Sequence, residues 1–294
     1  MKLKEKYKTK REFSPFMLLL FIVFVAYTLI LLGLLVWALV SSLKGRREFQ
    51  TSPYGFPKEL LFENYKDALE LFKMQIREET GLRYVYFGEL VKNSLLYAVG
   101  SAFFQTLSIS ITAYCCAKYR YKFSKLIYTV VLIMMMMPVV GTLSSSIQIA
   151  QALNIYGTMG GIWIMNASFL GIYFLVFYDV FASIPKAVFE AARIDGANDL
   201  QLIRHIAFPL AAKTFMIVFL INFITYWNDY QTPIIYLKTK PVIAYALFNI
   251  TQTVRGNAPL ILCAAIIVLV PIIVLFCCTS KYLMGNLTTG GVKE

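Results

Sequence analysis

Charge is what this chain lacks most. Asp, Glu, Lys and Arg make up 15% of its 294 residues, where soluble domains carry about 25%. With 59% apolar residues and a mean hydropathy of +0.65, a water-soluble globule is excluded. Disorder is excluded too, because disordered chains combine low hydrophobicity with high net charge. Five cysteines are too few for a disulfide scaffold, and none stands in a Cys-x-x-Cys pair. Cys115/Cys116, Cys263 and Cys277/Cys278 read as apolar packing residues. The single histidine, His205, has no Cys or His companion at ligand spacing, so no metal site is expected. No G-x-x-x-x-G-K-[ST] segment occurs, so the chain has no cradle of that kind for nucleotide phosphates. No acid, base and nucleophile cluster together, which argues against a membrane-embedded enzyme.

What the chain has in place of charge is long uncharged runs, at 13–43, 93–117, 126–178, 214–228 and 256–280. A membrane-spanning helix needs about 20 apolar residues. The run 126–178 is long enough for two spans, and Asn154, Gly157, Gly160 and Gly161 punctuate it. The expected class is an all-α integral membrane protein with six transmembrane helices. They are placed at about 16–40, 92–115, 125–145, 161–182, 208–233 and 259–280. Residues 1–12 form a cytoplasmic N-terminal segment, 13–283 the transmembrane domain and 284–294 a cytoplasmic C-terminal tail. Residues 44–92 are an outer insertion and 183–207 an inner loop. Pro138, after Met134–Met137, is placed to kink the third span.

The net charge of +12 then acquires a place. Lys2, Lys4, Lys6, Lys8, Lys10 and Arg11 crowd the N-terminus, while the short outer loop at 146–160 has no Lys or Arg. Short loops decide orientation, and the basic side is cytoplasmic. Both termini are therefore expected inside. The positive charge is an orientation signal, and no nucleic-acid partner is expected. The first run is too long for a secretory signal and lacks a cleavage pattern, so it is read as a retained span. Lys213 is placed to snorkel at an inner end. Trp37 and Trp163 fall near outer interfaces, where aromatic residues anchor.

The inner loop 183–207 does not belong to a simple bundle. Pro185 suits a first helical turn, and Val188, Ala191 and Ala192 recur on one face. Gly196 is a helix stop. Asn198 and Gln201 have capping-box spacing for a second helix, which Pro209 is expected to close. Glu190-Ala191-Ala192, then Gly196, Ile206 and Pro209 at their spacing, resemble the EAA signature of ABC importer permeases, with Phe208 where the pattern has Leu. Tyr226-Trp227-Asn228-Asp229-Tyr230 and the ending Asn286–Lys293 resemble the carbohydrate branch, specifically the smaller permease of maltose-type importers.

This resemblance implies a MetI-like permease subunit in the bacterial cell membrane. It implies a paralogous permease as partner in a heterodimer, two ATP-binding cassette subunits holding Mg-ATP, and an extracellular solute-binding lipoprotein. No cofactor is expected on this chain. Glu190, Ala191, Ala192, Gly196, Ile206 and Pro209 would form the ATPase-coupling loop. Thr288, Thr289, Gly290 and Gly291 would reach the ATPase. The substrate would be a carbohydrate, by the branch an oligosaccharide, delivered by the binding protein and translocated by alternating access. Polar groups inside spans tend to face the bundle interior or a cavity, which marks Asn166, Tyr173, Asn222, Tyr226, Asn228 and Asp229 as substrate-path candidates. Hydrogen bonding between helices is the competing role for Asn222 and Thr225. A self-contained secondary transporter is the rival reading. It is disfavoured by the lack of an internal repeat and of ionisable groups other than Lys213 and Asp229 at span edges.

Overall fold

The structure, a computed structural model, describes residues 15–78, 81–119, 121–137 and 141–284, the last five without their side chains. The chain starts with α1 (Pro15–Ser42), α2 (Arg46–Thr51) and α3 (Glu63–Leu71), followed by strands β1 (Lys73–Glu78) and β2 (Gly81–Tyr86). Then come α4 (Phe87–Lys118), α5 (Lys122–Met136), α6 (Leu143–Ala152), α7 (Met159–Asn166), α8 (Ile172–Ser183) and α9 (Lys186–Ile194). Last are α10 (Asp199–Leu202), a π-helical turn (Ile203–Ala207), α11 (Phe208–Trp227), α12 (Gln231–Tyr236), α13 (Ile243–Thr253) and α14 (Ala258–Met284). Among the described residues, four helical stretches are long and apolar enough to cross a membrane: Pro15–Ser42, Phe87–Lys118, Asp199–Trp227 and Ala258–Thr279.

The chain divides into two units, residues up to Ala68 with Val254–Ile266, and Leu69–Thr253 with the remainder. In the first, α1 is apolar on every side, and residues 15–36 are all exposed. Such a helix is at home only in hydrocarbon, where its backbone is satisfied internally. Its end is held by polar groups. Asn64 Nδ2 donates to the Ser42 carbonyl at 2.8 Å and the Lys44 carbonyl at 2.9 Å. The buried Lys44 ammonium donates to the carbonyls of Ser52 and Pro53. Trp37 Nε1 donates to the Pro53 carbonyl, so its ring is an anchor for the following segment.

In the second unit, α4 is the axis. Its buried positions include Ser94, Ala98, Ser101, Ala102, Thr106, Ser110 and Ala113. Small residues at three- and four-residue spacing let helices approach closely, which matters where lipid removes the hydrophobic drive between helices. Against that face α8 packs Phe174, Phe177 and Phe181, spaced i, i+3, i+7 and fully buried. On the other side α11 contributes Ala211 and Val218 to the same core. Strands β1 and β2 pair antiparallel with Lys73 opposite Tyr86. Met74, Ile76 and Val85 turn inward.

Three expected spans are not single helices. The stretch 125–145 holds α5, which ends at Met136, and the start of α6; Pro138 lies outside the described residues. The stretch 161–182 is broken between α7 and α8. Asn166 accepts at its carbonyl from the Ser168 amide, and Gly171 takes φ +132°, a conformation closed to most other residues. No charge marks this break, so the apolar run hides it. The stretch 208–233 also changes: α11 stops at Trp227 and α12 follows.

Trp163, expected near an interface, serves as packing between α7 and α4. Its Nε1 donates to the Leu96 carbonyl at 3.0 Å, and its ring stacks on Phe104. A Cβ at Gly100 would overlap the indole. Gly100→Val should therefore cost about 1–3 kcal/mol through overpacking and lower the melting midpoint of the purified chain in detergent. An unchanged midpoint would show that α7 does not seat on α4 this way.

Candidate functional site

The EAA-like segment builds a bent arm at the Lys118 end of α4. Helix α8 stops because Pro185 forces Ile184 into an extended conformation, φ −69° and ψ 123°. Pro185 itself is the N-cap of α9, one residue earlier than the first-turn position expected for it. The axes of α8 and α9 differ by 63°.

Helix α9 faces inward with Phe189 and Ala192, while Val188 and Ala191, which the spacing groups with Ala192, are exposed. Phe189 is 8% exposed and Val188 43%. The reason is the aromatic pocket beneath it. Phe189 meets the Tyr114 ring at 6.3 Å, and Tyr114 meets Phe181 edge-on at 5.4 Å. Lys118 closes the joint. Its Nζ donates to the Ile184 carbonyl at 2.7 Å and lies 4.6 Å over the Phe189 ring. Ala187, Val188, Glu190, Ala191 and Ile194 are left outside, Ile194 being 86% exposed.

The helix ends in a glycine elbow. Gly196 sits at φ +84°. Its amide donates to the Arg193 carbonyl at 3.0 Å, and the Ala197 amide donates to the Ala192 carbonyl at 2.9 Å. This bond pair is a Schellman motif, which satisfies the orphan carbonyls of the last turn. Ala192 and Ala197 pack on the same core, a contact that frequently accompanies the motif. Across the elbow Arg193 pairs with Asp199 at 2.9 Å. Burial, and next the Asp199 carboxylate, raise the Tyr119 hydroxyl above its ordinary pKa.

The second helix starts with the capping box read from Asn198 and Gln201. Asn198 Oδ1 accepts from the Gln201 amide at 2.9 Å, and the Asn198 amide donates to Gln201 Oε1 at 2.8 Å. Pro209 does not close this helix. Asp199–Trp227 runs as one continuous stretch, because the π-turn at Ile203–Ala207 widens the ladder just before the proline. Phe208 N–H bonds back to the Ile203 carbonyl, five residues away. The widened turn accommodates a residue with no N–H and a bulky ring. Ile206, half-buried in this turn, packs on the core, and Pro209 is exposed. The arm is thus continuous with α11, and α11 lies along α4.

The path candidates are not gathered into one cluster. Asn222 is buried at 5% exposure and donates from Nδ2 to Thr106 Oγ1 at 3.0 Å. Thr225, expected on the same face, is exposed and bonds the Ile221 carbonyl of its own helix. Asn166 donates to Ser101 Oγ at 3.0 Å. Tyr173 stands on α8, half-buried against the core, so it does not share a helix with Asn166. Tyr226 and Asp229 do come together. Tyr226 donates to Gln105 Oε1 at 3.0 Å, and its ring meets Tyr97 edge-on at 5.7 Å. The Tyr97 hydroxyl donates to Asp229 Oδ2 at 2.7 Å, while Asp229 Oδ1 accepts from the amides of Gln231 and Thr232. Asp229 therefore holds the first two amides of α12, beyond the end of α11. Asn228 is exposed and donates to the Ile224 carbonyl. Tyr97, Gln105 and Thr106 were missed because a tyrosine, an amide or a hydroxyl in an apolar run carries no sign of its partner. Thr288, Thr289, Gly290 and Gly291 lie outside the described residues.

Residues 89–281 match the family described as the binding-protein-dependent transport system inner membrane component. The chain belongs to this family. It is 27% identical over 259 residues to the melibiose/raffinose/stachyose import permease protein MelC of Bacillus subtilis (strain 168), covering 87% of this chain and 89% of that one. It is 29% identical over 269 residues to the inner membrane ABC transporter permease protein YcjP of Escherichia coli (strain K12), again with 87% and 89% covered. Its fold resembles a chain in the crystal structure of a bacterial ABC transporter involved in the import of the acidic polysaccharide alginate. The TM-score is 0.71 at 21% identity, covering 93% of this chain and 98% of that one. The protein is a multi-pass membrane permease, a transport component and not a catalyst.

The elbow makes a local prediction. Gly196→Ala places a Cβ in the left-handed region at a cost of about 1–2 kcal/mol. Amide hydrogen exchange in the last turn of α9 should quicken by about tenfold for that cost. Unchanged protection at Gly196 and Ala197 would contradict the elbow.

Proposed function

We propose that this chain is one of two membrane subunits of an ATP-driven carbohydrate importer, and that its bent arm couples ATPase movement to the membrane helices. The observation that carries the proposal is the arm. Helix α9 keeps Ala187, Val188, Ala191 and Ile194 outside, an apolar face at a water-exposed end that favours a protein partner. Small side chains permit close approach by that partner, and Glu190 on the same helix is placed to meet a basic group. On the inner side Phe189 and the Gly196 elbow tie α9 to α4 and α11. A push on α9 is therefore delivered to α11 as rigid-body motion.

The proposal includes six spans with both termini inside, which puts the arm on the side where ATP is available. The broken pair α7/α8 forms the fourth span. The partners are a paralogous permease in a heterodimer, two ATP-binding cassette subunits holding Mg-ATP, and an extracellular solute-binding lipoprotein. The relative named for melibiose, raffinose and stachyose import supports an oligosaccharide as cargo. Thr288, Thr289, Gly290 and Gly291 would extend the ATPase contact. Substrate would pass between outward- and inward-open states near Asn166, Tyr173, Asn222, Tyr226, Asn228 and Asp229.

Two tests follow. Glu190→Lys and Gly196→Pro should each abolish uptake by the reconstituted complex while the chain still inserts and assembles. Proline cannot adopt φ +84°. Full uptake by either variant would sink the coupling role. Asn222→Ala should raise the half-maximal substrate concentration for ATPase stimulation by about fivefold, the value of one hydrogen bond at about 1 kcal/mol. An unchanged concentration dependence with lowered thermal stability would assign Asn222 to the Thr106 tie alone.

A further inference from the structure

A cavity of about 1010 Å³ opens beside the arm, where α4, α5, α8 and α9 meet. It is at the upper end of the range of ligand pockets, about 300–1,000 Å³. Its charge is one-sided. Lys118, Lys125, Lys186 and Arg193 line it against the single carboxylate of Glu190. Lys118 is engaged by the Ile184 carbonyl and Arg193 by Asp199. Among the described residues, Lys125 and Lys186 form no ion pair or side-chain hydrogen bond, and both are exposed. The Lys186 ammonium repels that of Lys118, and an anion at this mouth would relieve the repulsion.

The rest of the wall is not that of a site for a free ion. Tyr114, Tyr121, Tyr178 and Ala182 line it, and they come from or adjoin helices read as membrane spans. Tyrosine at such a level presents an apolar ring with a polar tip. On α5, Leu132 and Met136 stand seven and eleven residues beyond Lys125, and both are exposed. That spacing puts them on the face of Lys125, as an apolar stripe leading away from the basic mouth. Positive charge at the mouth, tyrosines at the rim and an apolar track beside it together match an amphiphile with an anionic head.

We infer that this cavity binds the phosphate-bearing headgroup of an anionic membrane lipid, with Lys125 and Lys186 on the phosphate and an acyl chain along the α5 stripe. Basic pockets between membrane helices at the cytoplasmic surface suit such headgroups. The placement of the cavity at that surface rests on the orientation proposed above, and the lipid would stand directly against Phe189 and Glu190 of the coupling arm.

The experiment uses the full chain purified in mild detergent, without ATPase or binding protein, so it is independent of the coupling reading. Native mass spectrometry would record retention of added phosphatidylglycerol and phosphatidylcholine. Phosphatidylglycerol should be retained in preference. K125Q/K186Q should weaken that retention by about an order of magnitude or more, whereas K213Q, on an exposed lysine outside the cavity, should leave it unchanged. Should the double variant be poorly folded by circular dichroism, each single variant is expected to show a partial loss. Equal retention of the two lipids, or retention unaffected by the lysine changes, would overturn the inference. Displacement of phosphatidylglycerol by millimolar inorganic phosphate would overturn the lipid assignment in favour of a free-phosphate site. Full uptake by Glu190→Lys would remove the coupling role and leave these lipid results as they are.

Discussion

The small-residue face of α4 is the constraint on which the second unit depends. In hydrocarbon, burying an apolar side chain against another helix gains nothing from water, so close contact and hydrogen bonds must hold the helices together. Ser101, Ala102, Thr106, Ser110 and Ala113 let α8 and α11 approach. Polar ties then select one register: Asn166 to Ser101, Asn222 to Thr106 and Tyr226 to Gln105. Such ties average about 0.6 kcal/mol each in membranes. Their value is therefore in specifying the arrangement more than in total stability.

From that seam the arm inherits its stiffness. One end leaves α8 at the Ile184–Pro185 bend and is pinned to the end of α4 by Lys118 and the Tyr114–Phe189 contact. The other passes through the Gly196 elbow into a helix that continues without a stop to Trp227. Both anchors are therefore the elements that α4 organises. A flexible loop in this position would absorb a push; a short helix held at both ends passes it on. The exposed carboxylate of Glu190 and the apolar outer face of α9 are what remains for a partner.

Much of this was legible in the sequence, for a definite reason. Excluding charge from hydrocarbon marks long helices clearly, so α1, α4, α11 and α14 lie largely in the long uncharged runs. Glycine, Asn198 and Gln201 carry local geometry in their own chemistry, so the elbow and the capping box could be placed to the residue. The break at Ala167–Gly171 could not, because an apolar run looks the same whether or not its helix is interrupted. Pro209 was read as a stop because the π-turn that accommodates it has no sequence mark. Val188 and Phe189 compete for the inward face of α9, and only the aromatic pocket at Tyr114 decides between them. The polar path candidates were visible, but their partners lie up to 132 residues away. Spacing along one helix does not report such pairs.

The central claim is that α9 and α11 move as one body. Spin labels at Val188 on α9 and Leu210 on α11, in a background without native cysteines, would measure it in the assembled transporter. Pulsed dipolar distances should give one narrow distribution that is the same with and without ATP, while the distance from Val188 to the matching helix of the partner permease changes. A distribution between Val188 and Leu210 that shifts or broadens when ATP binds would contradict the account.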